Sequence, residues 1–303
     1  MNNREGILYS VLLELRAEHQ ASLPATMGHL VHAMFHHLLA RIDPAQSRQL
    51  HQEGGRRPFT LSPLLGGLPE DNRVVLIKGT TYQIRITLLD GGYLWHCLST
   101  LFLEGGPCTV QLGEATLLIT RLISTADATG WAAKTTWQEL ASLPHAREIT
   151  LSFTSPTAFN TNEHSFVLAP EPRLVWGSLI RTWNCYAPAS LALTPAVLGE
   201  IQTNGITVSG CNLSTHTLQY PKYTQKGFLG TCTYRLPEEG KYAAQLTGLA
   251  TFALFAGVGY KTTMGMGQVR RGGERLLSRS QHRQNTRPNV HPASARTSRI
   301  GLP

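Results

Sequence analysis

A chain of 303 residues suits one large domain or two of ordinary size, and 42% hydrophobic with 8% aromatic residues excludes a disordered body or a collagen-like repeat. No apolar run approaches the roughly 20 residues of a membrane-spanning helix, and the opening MNNREGILYS lacks a signal-peptide layout, so a cytoplasmic protein without membrane contact is expected. The net charge of +8 suggests a polyanionic partner, yet residues 270–303 hold eight arginines and a single acid, Glu274, which leaves residues 1–269 at only +1.

Ile7 to Arg16 (ILYSVLLELR) predicts a buried strand. After Leu23-Pro24 a helix is expected through Ile42, because Leu30, Val31, Met34, Phe35, Leu38 and Ile42 recur at helical spacing, and Asp43-Pro44 closes it. A loop with Gly54-Gly55 leads to strands near 57–64 and 80–89. A helix near 92–103, a Gly105-Gly106-Pro107 break and strands from Thr109 to about Ile123 follow. The second half repeats the order: strand 147–155, helix 173–186, strands 206–219 and 226–236, helix 238–255 and strand 264–270. The fold class is therefore α+β, two tandem ferredoxin-like (RRM-like, β-α-β-β-α-β) domains at 1–145 and 146–273, followed by a basic tail at 274–303. From about Gln281 the tail is Arg, Ser, Asn, Pro and Gln, a composition that predicts a mobile arm able to attract nucleic acid without reading sequence. The layout hosts many functions, RNA recognition among them, so it decides none.

The five cysteines are scattered without a CxxC pair, which argues against a disulfide framework or a zinc knuckle and for reduced core thiols. His29, His32 and His36 fall at i, i+3 and i+7, within about 60° of one another on the helix and roughly opposite its apolar stripe. Three imidazoles on one face can ligate zinc, but no cysteine lies nearby and no His-Asp dipeptide occurs, so a solvated polar face for His29 and His32 is the better reading. No metal or other cofactor is expected.

The segment GVGYKTTMGMG (257–267) sits between a predicted helix and the last predicted strand. Gly257, Gly259, Gly265 and Gly267 allow positive φ and close backbone approach, while Lys261, Thr262 and Thr263 at its tip offer a charge and two hydroxyls to phosphates. The dinucleotide fingerprint opens a helix after a strand, the reverse of this order, and no Gly-Lys-Ser/Thr occurs at nucleotide-loop spacing. A tight helix-to-strand turn with a purely structural purpose is the competing reading.

This segment resembles the C-terminal glycine-rich loop of the RAMP superfamily. With LHQ…RPFTLSPL (50–64), LSFTSPTAF (151–159), LIRTWN (179–184) and QKGFLG (225–230), the chain over roughly 7–271 is similar to the CRISPR-associated repeat-processing endoribonucleases. The resemblance implies cleavage of CRISPR precursor transcripts within each repeat. No metal takes part: a 2′-hydroxyl attacks the adjacent phosphorus and leaves a 2′,3′-cyclic phosphate and a 5′-hydroxyl. His51 then occupies the family's catalytic-histidine position, and Arg57 stands where some members have a phosphate-contacting lysine. His36 stands where some have a tyrosine, which leaves the second proton-transfer role open. CRISPR repeat RNA is the implied partner. An interference ribonucleoprotein complex and a homodimer stay open, as do two other functions: a non-catalytic RAMP subunit that holds guide RNA, and a metal-dependent phosphodiesterase.

Overall fold

The computed structural model describes residues 6–272, apart from 53–54, 104–107, 126–128, 163–164, 195, 198, 200, 202–204 and 239–241. The predicted arm and the whole of the 274–303 tail therefore lie outside the described residues. The first half runs β1 (Ile7–Ala17), β2 (Ala21–Pro24), α1 (Gly28–Ile42), α2 (Pro44–Gln52), β3 (Phe59–Leu61), β4 (Leu68–Glu70), β5 (Arg73–Leu76), β6 (Thr81–Leu88), α3 (Gly91–Leu103), β7 (Cys108–Leu112), β8 (Ala115–Ile123), β9 (Ala133–Thr136) and α4 (Trp137–Ala141). The second runs β10 (Glu148–Thr157), β11 (Phe159–Asn162), β12 (Ser165–Val167), α5 (Pro172–Tyr186), β13 (Thr207–Gln219), β14 (Thr224–Arg235), α6 (Ala243–Ala256) and β15 (Val269–Arg271). No helix among the described residues is long and apolar enough to cross a membrane.

Two antiparallel sheets organise the chain. Their orders are β3-β6-β1-β8-β7, with β9 also paired to β1, and β13-β14-β10-β15. In each half the first strand sits between the third and fourth of the β-α-β-β-α-β unit, the ferredoxin-like arrangement that the element order predicts. β1 is buried along almost its whole length because it is covered on both faces, which is why its sequence is a continuous apolar run without alternation. Helix α1 buries Val31, Met34, Phe35 and Leu38 against Val11, Leu13, Ile84 and Ile86 of that sheet, each side chain contributing about 1.5–3 kcal/mol. A second core joins Trp176, Leu179 and Trp183 of α5 to Phe252 of α6 and to Leu151, Phe153 and Phe228 of the second sheet. Helix α4 ties the halves together. It opens with a Thr136/Glu139 capping box and sets Trp137 edge-on to Trp183 at 5.0 Å.

Three expectations need correction. The 44–52 stretch, read as loop, is helix α2, because Pro44 ends α1 yet suits the first turn of a new helix, where its missing N–H costs nothing. The small sheet β2-β5-β4 and the ribbon β11-β12 were also read as connections; their strands of three or four residues are too short to show a period. Cys211 and Cys232, expected reduced, form a disulfide: the β13–β14 register sets them directly opposite. Cys97, Cys108 and Cys185 are free thiols, the first two buried.

Candidate active site

Helix α1 starts without a side-chain cap at Met27, and its buried Gly28 lies against the glycine-rich segment. A Cβ on Gly28 would stand 1.8 Å from the Met264 carbonyl oxygen, so only glycine lets the two halves touch here. The segment forms a short 3-10 turn, Thr262–Met264, entered through Lys261 in the left-handed region (φ 53°). All four of its glycines have positive φ, and the hypothetical Cβ atoms of Gly259 and Gly267 would fall 2.4 and 2.2 Å from the Ala158 and Val258 carbonyl oxygens. Those two glycines therefore serve the loop's own packing, as the structural reading required. Lys261, Thr262 and Thr263 remain half-buried at its surface.

The histidine face of α1 meets this turn. His32 Nδ1 lies 3.2 Å from the Thr263 carbonyl oxygen and donates to it, which fixes the neutral tautomer whose lone pair is on Nε2. His36 stands edge-on to His32, ring centroids 4.7 Å apart, and beside Phe59 at 5.9 Å. It is only 8% exposed, so it does not lie opposite the core as the spacing suggested. The reason is α2: its Ser47 hydroxyl donates to the His36 carbonyl at 3.0 Å, and Ser47 Oγ lies 3.5 Å from His36 Nδ1. Nor are His29 and His32 a solvated face, since both are half-buried beneath the second half. Burial pushes the His29 imidazole below the ordinary histidine range, favouring its neutral form. No three His, Cys, Asp or Glu side chains among the described residues are placed to hold a metal ion.

A third element closes the cluster. The tip of the β13–β14 hairpin docks beside α1 through the Gln219 amide, which donates to Thr26 Oγ1 at 2.9 Å. The tip presents Tyr220 and Tyr223, stacked at 4.7 Å, with the Tyr220 ring 6.2 Å from that of His29. Lys261 Nζ sits 4.7 and 4.0 Å from the centroids of those two rings, 5.2 Å from that of Tyr260, and donates to the Tyr223 hydroxyl. Tyr223 is 44% exposed, an aromatic face next to a cation at the mouth of the cluster. Sequence reading missed the tyrosines. Tyr-Pro-Lys-Tyr between two strands marks a turn, but nothing local links that turn to a loop some 40 residues later.

Of the expected catalytic residues, His36 lies behind His32, and Arg57 is half-buried in the lead-in to β3. His51 falls in the last turn of α2, and its side chain lies outside the described residues.

Residues 7–142 match the family profile of the CRISPR Cas6 N-terminal domain, and residues 151–269 that of the CRISPR-associated endoribonuclease Cas6. The chain is similar to the CRISPR-associated endoribonuclease Cas6 of Mycobacterium tuberculosis, 27% identical over 131 residues, which cover 42% of this chain and 40% of that protein. The match with these curated relatives spans less than half of their length. Among solved structures, a Cas6 product complex of Thermus thermophilus is 32% identical with a TM-score of 0.73, covering 88% of this chain and all of that one. A second Cas6 product complex is 26% identical with a TM-score of 0.68, over 88% and 99% of the two chains.

Proposed function

The chain belongs to the CRISPR-associated Cas6 endoribonuclease family, and we propose that it cuts CRISPR precursor transcripts within their repeats to release guide RNAs. The observation that carries this reading is the contact of His32 with Thr263: it joins a helix bearing proton-transfer groups to a loop bearing phosphate-binding groups, from opposite halves of the chain. Relatives of the same fold in product and substrate-mimic complexes support it.

In the proposed reaction no metal takes part. One histidine takes the proton of the 2′-hydroxyl as its oxygen forms a bond to the adjacent phosphorus. The bond from phosphorus to the 5′ oxygen then breaks, and a second histidine supplies the proton that this oxygen needs, leaving a 2′,3′-cyclic phosphate and a 5′-hydroxyl. His32 and His51 are the proton-transfer groups, imidazole being able both to take and to give a proton. His36, buried behind His32, is a positioning residue that holds its ring. Arg57 meets the charge of the phosphorane, and Lys261, Thr262 and Thr263, with the backbone between Gly257 and Gly267, hold the neighbouring phosphates. In this scheme residues 1–145 carry the chemistry, 146–273 the grip, and 274–303 a diffuse electrostatic attraction.

The test is single-turnover cleavage of a synthetic repeat RNA in excess chelator, with analysis of the product ends. Cleavage should persist, and a 2′-deoxy nucleotide at the cut site should abolish it while leaving binding intact. Products ending in a 3′-hydroxyl, or cleavage of the 2′-deoxy substrate, would overturn the mechanism. Binding without any cleavage would leave a guide-RNA holder.

A further inference from the structure

The β13–β14 hairpin turns over Tyr-Pro-Lys-Tyr (220–223), where Pro221 fixes one φ and the Tyr220 N–H donates to the Tyr223 carbonyl at 2.9 Å. That closure sets the two rings against each other, 4.7 Å apart and within 19° of parallel. Tyr220 is the inner ring, 8% exposed and next to His29; Tyr223 is the outer one, 44% exposed. Lys261 Nζ is 4.7 and 4.0 Å from their centroids, a nearly equal-sided triangle, so the ammonium lies beside the stack and leaves the outer face of Tyr223 uncovered. Among the described residues no other ring packs on Tyr223.

A held aromatic ring with one face packed and the other open to water leaves apolar area that a partner could bury. The charges around it say which partner fits. Residues 207–235 hold no Asp or Glu, and Lys222 and Lys226 are exposed on the same hairpin. With Lys261 they favour a polyanion over an apolar protein surface, which would have to desolvate three ammonium groups. Single-stranded RNA combines a polyanionic backbone with flat bases that stack on aromatic side chains. Because the turn and Tyr220 already hold the Tyr223 ring, stacking on it costs little conformational freedom. The place also borders the histidines. Lys261 opens the turn whose Thr263 carbonyl meets His32, and Tyr220 lies against His29, one helical turn earlier on α1.

We propose that the outer face of Tyr223 is a stacking platform for one nucleobase of the repeat, within two nucleotides of the cut, whose phosphate Lys261 holds. The proposal rests on the function proposed above and adds a base contact to it. Lys261 gives one N–H to the Tyr223 hydroxyl and keeps two for phosphate oxygens. Stacking needs a π face and no particular hydrogen-bonding edge, so the platform takes any base and favours purines for their larger area.

The test uses the full chain and a repeat RNA with a 2′-deoxy nucleotide at the cut site, so that binding is read without cleavage. Affinity is measured with one abasic nucleotide at a time for wild type, for Tyr223→Phe, which keeps the ring, and for Tyr223→Leu, which keeps apolar bulk against Tyr220 without a π face. One abasic position within two nucleotides of the cut should cost wild type and Tyr223→Phe about 5- to 100-fold and cost Tyr223→Leu nothing further. A 2-aminopurine at that position should lose emission on binding wild type and keep it on binding Tyr223→Leu. If Tyr223→Leu fails to fold, Tyr223→Trp carries the comparison: its wider ring should deepen the cost of the same abasic position, and an unchanged cost counts against stacking. An abasic profile identical in wild type and Tyr223→Leu overturns the proposal, even where the variant binds more weakly throughout, and leaves Tyr223 a packing partner of Lys261. A shared position farther from the cut overturns it too. Wild type that binds and cuts the repeat with no Tyr223-dependent position sinks the platform alone; wild type that binds no repeat RNA sinks the function proposed above and the platform with it.

Discussion

The two halves share one strand order and differ in what their connections carry. In the first, the second and third strands of the unit, β3 and β6, are three and eight residues long, and the histidines lie on a helix, α1. In the second, the equivalent strands β13 and β14 extend to 13 and 12 residues, and β13 is exposed along nearly its whole length, so the hairpin reaches across to dock on the start of α1. The glycine-rich turn does the same from the end of α6. One topology thus supplies a rigid platform for titratable groups and, repeated, a pair of arms that close over it. Function resides in the connections, because the strand ladders leave no backbone groups to spare.

This division predicts that first-half substitutions change the chemical step and second-half substitutions change binding. The largest effect is expected for His51→Ala and His32→Ala, each slowing single-turnover cleavage by about 10²–10⁴-fold with RNA affinity little changed. The double variant should be little slower than the worse single one if the two act as a pair, and fully multiplicative losses would separate their roles. Arg57→Lys should keep more activity than Arg57→Ala; equal damage would mean that guanidinium geometry outweighs charge.

Lys261→Ala should weaken repeat binding by about 10-fold or more while the cleavage rate of the saturated complex stays near wild type. A fall in that rate instead would place Lys261 in the chemistry and blur the division. Gly259→Ala differs in kind: its methyl would meet the Ala158 carbonyl at 2.4 Å in a left-handed backbone, so a stability loss of about 1–3 kcal/mol should accompany any binding defect. Unchanged thermal unfolding of that variant would contradict the packing described for the loop.

A smaller effect is expected from pH. Burial lowers the folded-state pKa of His29, so below its ordinary value of 6.5 the unfolded chain binds a proton that the folded one does not. Stability present above that value is lost as pH falls through it toward the folded pKa, and His29→Gln should flatten this part of the melting profile. The smallest change should come from removing residues 281–303, with Arg283, Arg287, Arg296 and Arg299. Cognate and scrambled RNA should lose affinity alike, and the salt dependence should flatten by at most about three in log–log slope, 0.7 per charge. A shifted cut position would mean that the tail reads sequence.

Helical and strand periods are local, so the order of the two β-α-β-β-α-β units was legible from residue spacing, and the clustered glycines marked the loop before any coordinates. Two things were out of reach of a local reading. His36 seemed to share the open face of α1 because periodicity ranks the faces of one helix and cannot say what covers them; α2, begun by the proline that ended α1, covers it through Ser47. His32 gained its partner 231 residues away only when the second half folded over the first. The sequence by itself determined the order of the two β-α-β-β-α-β units and the glycines that let backbones touch. Only the tertiary structure decided which histidine faces the loop, because burial and pairing belong to surfaces brought together by both halves.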